Sequence, residues 1–222
     1  MAALTLDQIE AAVRFRGDYQ NVRKFSQADV RNEIQTSFGE FYQLVASVHE
    51  GYWDTEATIY TVANTAYAVL PGDTWRVQAI DRLDSSGQIV KELDQVGIEH
   101  RNRYGALTGE PAAYRLTARG ADLYPTPNAV YTLRVLYTPI APSLSASQPR
   151  EWFNGWEDYV ITSTLLKLDT REGKPLTDRL TVLDKIEKTV RAGATERRSQ
   201  EPEYLNLRDG VGGGPVWHEG DY

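Results

Sequence analysis

The sequence predicts an α+β protein: a small helical bundle with an antiparallel β-rich insertion and an extended C-terminal tail. Three observations carry this prediction. Apolar residues recur every three or four positions before residue 53 and again after residue 151. Between these stretches the chain turns to β-branched and aromatic residues in short alternating runs, cut by Gly, Pro and Asp clusters. Beyond residue 200 the periodicity stops and a glycine-rich segment follows. The implied organisation is a helical frame at 1–53 and 151–200, a β-rich insertion at 54–150 and a tail at 201–222.

Thr5 and Gln8 have the spacing of a capping box, and Leu6, Ile9 and Val13 repeat at helical intervals up to Gly17, which predicts a short first helix. Ser26 and Asp29 open the next segment in the same way. Val30, Ile34, Phe38, Phe41, Val45 and Val48 then mark one face of a helix over 26–49, about six turns at about 3.6 residues each, with Gly51 as its stop. Arg31, Glu33, Gln35 and Glu40 fall elsewhere on its surface, so one face packs and another stays polar.

Strands are predicted over 58–62 and 66–70, with Pro71-Gly72-Asp73 as a turn. Residues 75–83 alternate, and Asp84-Ser85-Ser86-Gly87 turns the chain into 88–90 as a hairpin. Residues 91–104 read as helix-permissive but weakly patterned, 105–111 as loop, and 112–117 and 130–137 as further strands. Pro125, Pro127, Pro139 and Pro142 flank the last strand without interrupting it, as the missing proline N–H requires. Trp152, Trp156, Tyr159, Val160, Ser163 and Leu166 lie on one side of a helix over 151–173. Pro175 suits the start of its successor, whose stripe is Leu176, Leu180, Leu183, Ile186 and Val190, and the two form an antiparallel hairpin.

At 222 residues the chain makes one domain, or one domain with a sizeable insertion. It has no cysteine, so disulfides, thiolate metal sites and a cysteine nucleophile are excluded. No apolar run approaches the roughly 20 residues that span a bilayer, and no basic n-region precedes an apolar one, so a cytosolic, unprocessed chain with no membrane partner is expected. A net charge of -7 argues against gripping DNA through its phosphates, while permitting DNA to pass without sticking.

No residue pattern points to a catalytic group, a metal ligand or a cofactor site. His49, His100 and His218 are scattered without ligand spacing. Glu157 and Asp158 are adjacent, so on a helix they diverge by about 100°. They suit an acidic first turn better than an acid/base pair. Gly210-Val211-Gly212-Gly213-Gly214-Pro215 lacks the Lys and Ser/Thr of a phosphate loop. Trp53 and Trp75 suit a carbohydrate platform or, more commonly, a core or subunit interface. More informative is the tail, where Tyr204, Leu205, Leu207 and Arg208, and later Trp217, place apolar anchors in a segment with no core of its own. Such residues find burial against a partner.

The helical pair, the Trp/Thr/Tyr-rich β region with its Leu70-Pro71-Gly72-Asp73 turn, Pro127 with Tyr131-Thr132-Leu133 and Tyr137, and the Glu157-Asp158-Tyr159-Val160 helix with its successor and tail form one order of elements. It resembles the head-to-tail adaptor (connector) proteins of tailed bacteriophages. The resemblance implies a structural, non-enzymatic ring in the virion neck, assembled in the host cytoplasm. Such a ring usually has twelve copies, docks on the portal protein through C-terminal segments and meets a stopper or tail protein on its other side. Double-stranded DNA passes through the lumen without sequence recognition. On that footing Tyr204, Leu205, Leu207, Arg208 and Trp217 are the portal-docking candidates. The β insertion is larger than in all-helical members, and its contacts stay open between the tail, a neighbouring subunit and the outside. The alternatives are a tail-tube or tail-completion ring protein and, from another class, a carbohydrate-active enzyme, for which no convergent carboxylate pair can be named.

Overall fold

The computed structural model describes residues 4–19, 24–100, 107–146 and 155–199. Among these are four helices: α1 Leu6–Gly17, α2 Gln27–Val48, α3 Glu157–Glu172 and α4 Thr177–Ser199. Both predicted capping boxes form. Thr5 Oγ1 accepts from Gln8 N at 3.3 Å while Gln8 Oε1 accepts from Thr5 N at 2.8 Å. Ser26 Oγ accepts from Asp29 N at 3.2 Å while Asp29 Oδ2 accepts from Ser26 N at 3.1 Å. Each box satisfies N-terminal N–H groups that the helix itself leaves unpaired.

The α2 stripe is the centre of the frame: Val30, Ile34, Phe38, Phe41 and Val45 are all fully buried. Ile9 and Val13 of α1, Val160 and Leu168 of α3 and Val190 and Ala194 of α4 complete this core. Two expectations are corrected here. The helix predicted over 151–173 starts only at Glu157, because Gly155 takes φ 89 and Trp156 a non-helical φ of -102. Residues 151–154 lie outside the described residues. Trp156 still reaches the core, its ring 6.2 Å from Phe41. The second correction is Leu180, which is half exposed, so the α4 stripe packs only from Leu183 onward. α4 folds back on α3 through residues 173–176, and Gly193 meets the Trp156 indole, where a Cβ would come within 2.9 Å of the ring.

The β region holds two four-stranded sheets. The first has the order β1 (Thr55–Tyr60), β10 (Thr132–Pro139), β3 (Thr74–Leu83), β4 (Ile89–Glu92), all antiparallel. The second has the order β2 (Tyr67–Ala68), β8 (Gly120–Tyr124), β7 (Ala113–Thr117), β5 (Asp94–Gln95), in which β5 alone pairs in parallel. A short parallel pair, β6 (Thr108–Gly109) with β9 (Thr126–Pro127), lies beside them. The inner faces meet in a second core of Val77, Ile80, Tyr114, Leu123, Leu133 and Val135. Val77 and Ile80 both point inward despite their odd spacing because β3 bulges at Gln78: Leu136 faces Ala79 while Tyr137 faces Val77.

Residues 91–104 carry no α-helix among the described ones. They give the end of β4, β5 and a 3-10 turn at Ile98–His100. Leu93 is the reason: its N–H bonds Ile80 O and its buried side chain anchors the chain as it passes from one sheet to the other, so pairing overrides the helix propensity of Lys91 and Glu92. The predicted loop at 105–111 contains β6. β8 was not expected at all. It follows a turn closed by Gly120, whose φ is +141 and where an added Cβ would fall 2.3 Å from Ala68 O, so only glycine fits.

Phe41 touches both helical and aromatic neighbours, with Trp53, Trp156 and Tyr159 rings within 6.4 Å. Phe41→Ala should lower stability by about 3 to 5 kcal/mol, read as an earlier denaturant midpoint with the same slope.

Candidate assembly surfaces

Two stretches at the crossings between helices and sheets, residues 49–54 and 139–144, converge on α2. Trp53 stacks on Tyr42 with ring centroids 4.6 Å apart and planes 13° from parallel, and its Nε1 donates to Tyr42 O at 3.0 Å. Tyr52 sets its ring edge against Trp53 at 4.5 Å. On the other crossing, Tyr42 Oη donates to Pro139 O at 3.0 Å. Gln35 then holds the following segment from both sides, donating to Pro142 O at 3.2 Å and accepting from Leu144 N at 2.8 Å. Thr138 Oγ1 donates to Asp54 Oδ1 at 2.7 Å, so the crossings are also tied to each other. Together they line a groove of about 800 Å³ with Asp73, Tyr137 and Ile140 in its wall.

The polar groups of the frame bind one another. Asp169, buried in α3, accepts hydrogen bonds from the Tyr19 hydroxyl and from Arg179, and Lys174 lies 4.5 Å over the Tyr19 ring. Burial and then the Asp169 carboxylate push the Tyr19 hydroxyl up. Burial alone would raise Glu10, but hydrogen bonds from Arg31, Arg14 and Gln27 reverse this and leave its carboxyl below the ordinary value. Glu172 is held down at about 2 by hydrogen bonds from Lys174 and then Lys24. Asp29, Asp84 and Asp122 are also lowered. A general acid needs the opposite displacement, so these carboxylates hold charge rather than deliver protons. Asp158 pairs with Arg16 at 2.6 Å, in keeping with the acidic first turn of α3. Among the described residues no group of His, Asp and Glu is placed to hold a metal, and no helix is long and apolar enough to cross a membrane.

The docking candidates Tyr204, Leu205, Leu207, Arg208 and Trp217 lie outside the described residues, as does His218. α4, which leads to them, is described up to Ser199. Of the two tryptophans read as interface or carbohydrate platform, Trp53 is half-buried in the joint, where its stacking partner is Tyr42. Trp75 is 46 % exposed beside a groove of about 780 Å³ that also holds Arg76, Leu116 and Arg119. A seam between the β insertion and the helical frame is expected at 124–168, and the 139–144 crossing lies within it; the half of the joint made by Tyr42 and Trp53 was not anticipated. Its signal was available in Gly51-Tyr52-Trp53-Asp54, an aromatic pair set between a helix stop and a strand start.

A family model described as SU10 adaptor protein matches residues 4–166. The chain belongs to that adaptor family. The match takes in α1, α2, both sheets, the joint and the start of α3, which makes the protein a phage adaptor and a virion component, as the resemblance indicated. Membership in a structural adaptor family implies contacts with phage portal and tail components in place of catalysis. No curated protein matches the chain.

The adaptor's joint and frame each make a measurable prediction. Gln35→Ala removes both bonds to the 142–144 segment and should cost about 1 to 3 kcal/mol, with a change in the near-UV circular dichroism of the neighbouring aromatics. Glu172 has a lower pKa folded than its ordinary 4.5, so it stabilises the fold above that value and loses this as pH falls toward about 2. Glu10 acts in the same direction. Thermal melts should therefore fall across this acid window, and Lys174→Met should make the fall shallower.

Proposed function

We propose that the adaptor is a structural ring of the phage neck that attaches to the portal vertex through its C-terminal segment and joins head to tail around the DNA channel. The observation that carries this reading is the family match over residues 4–166, which spans the second hydrophobic core, much of the first and the joint between them. In this reading residues 1–53 and 151–200 are the frame, 54–150 the β insertion and 201–222 the docking tail. Tyr204, Leu205, Leu207, Arg208 and Trp217 supply its anchors, and a stopper or tail protein meets the opposite side. The copies number twelve, as the adaptor resemblance implies.

Two features favour the arrangement. The net charge of -7 lets duplex DNA pass without being held, because cations are not in excess to neutralise its phosphates. The outer side of α4 is strongly polar, with Asp184 paired to Lys188 and Glu187 to Arg191, so α4 keeps its form in water while it carries the chain toward residue 201.

Deleting residues 201–222 should abolish attachment to portal-bearing heads while the remaining chain stays folded by circular dichroism. Full attachment by the truncated chain would overturn the docking role, and recovery of the intact protein with tails instead of filled heads would point to a tail-completion ring.

A further inference from the structure

The first sheet ends in two free edges, and they are complementary. β1 pairs with β10 over six residues in unbroken register, and among the described residues nothing pairs with its other side. It carries none of the usual guards of an edge: no proline, no lysine and no bulge, with Glu56 as its one charge. β4, the opposite edge, is exposed along its whole length. Three apolar side chains stand out on these edges, Tyr60 at 65 %, Ile89 at 53 % and Val90 at 52 % exposure.

Hydrogen-bond alternation shows which groups are available. Thr61 N donates to Tyr131 O at 3.0 Å, so Thr61 and Tyr131 are a bonded pair. In an antiparallel ladder bonded and non-bonded pairs alternate. Ile59 and Ala57 therefore spend their backbone groups on Leu133 and Val135, and Glu56, Thr58 and Tyr60 turn theirs outward. On β4, Leu93 N donates to Ile80 O, so by the same alternation Lys91 faces inward to Arg82 and Glu92 turns outward. Thr58, Arg134, Asp81 and Glu92 form one transverse row of the sheet. The two outward-facing edge residues thus sit at the same level.

Strand direction completes the match. β1 runs antiparallel to β4, because three antiparallel pairings separate them. A second copy displaced sideways, by rotation about an axis along the strands, brings its β4 antiparallel to β1. We infer that β1 of one copy pairs with β4 of the next, in the register that sets Thr58 against Glu92, on the Lys91–Leu93 side of the bulge at Val90. The contact is heterologous, so it propagates from copy to copy and closes if the rotation closes. Its few residues bury far less than the roughly 1,000 Å² of a stable pairwise interface, so it adds to assembly and does not hold two copies together alone. The pairing deepens the ring reading and rests on it in one respect, that copies meet side by side.

The absence of cysteine makes trapping clean. Directly opposed residues of a bonded pair have Cα atoms about 5.5 Å apart, which suits a disulfide. In purified protein at high concentration and in filled heads, oxidised Thr58→Cys/Glu92→Cys should give a ladder of linked multimers on a non-reducing gel. Each single variant should stay monomeric. Adding Tyr60→Pro removes one outward N–H, leaves the β10 ladder intact, and should cut the ladder at least tenfold with an unchanged circular dichroism spectrum. A dimer from Thr58→Cys alone would replace the inference with a two-fold β1 contact. A ring visible by electron microscopy with no ladder would overturn the pairing and leave the adaptor reading standing, whereas loss of head attachment on tail deletion tests only the latter.

Discussion

Tyr42 is buried in the helical frame, yet its ring stacks on Trp53 and its hydroxyl donates to Pro139 O, so both crossings between helices and sheets are tied to one side chain of α2. A β module joined by a single linker would be free to swing. Here rotation about one crossing is resisted by the other, and Asp54 with Thr138 closes the loop between them. Aromatic pairs of this geometry are worth about 0.5 to 1.5 kcal/mol each beyond the area they bury. Tyr42, Trp53, Tyr52 and Phe41 form several of them in one place. The two hydrophobic cores are separate, so it is this aromatic joint, more than shared packing, that sets their relation.

The same helix organises the polar side of the frame. Glu33 receives Arg171 and Glu40 receives Lys167, which fix α3 along α2, while Gln35 on the intervening turn holds the 142–144 segment. Asp169 and Glu10 are buried, and a buried charge is tolerable only when paired and hydrogen-bonded. Both satisfy that condition through arginines. The network is therefore saturated by its own members. This is what distinguishes it from a catalytic cluster, where a titratable group is kept near neutrality and turned toward a cleft.

Much of the frame was legible because its signals are local. Thr5 with Gln8 and Ser26 with Asp29 specify helix starts within four residues, and the α2 stripe specifies its buried face without knowledge of any partner. The β region was legible only in part. The alternation of 130–137 was enough to find β10, but β8 is buried on nearly every residue and shows no alternation to read. Residues 91–95 have helical composition and are extended because β3 and β7 pair with them from distant positions. Trp156 was placed on the correct core and in the wrong backbone state: its apolar spacing is right, but Gly155 delays the helix to the next residue. The contacts that lock the joint escaped because they link residues up to 109 apart, such as Gln35 and Leu144.

Rigidity at the joint and an open sheet edge bear on each other. A strand edge offers hydrogen bonds that are individually weak in water, about 1 kcal/mol net each. Docking such an edge also costs the freedom of whatever carries it. On a mobile module that cost would exceed the return from the few backbone bonds that β1 has free. Held by Tyr42, Trp53 and Gln35, the edge is already at its final angle to the frame before a neighbour arrives. In the proposed ring, frame-to-frame contacts and edge pairing would form in the same encounter, each raising the effective concentration of the other. In that proposal a small edge contact would contribute to assembly because the helix that packs the core also aims the sheet.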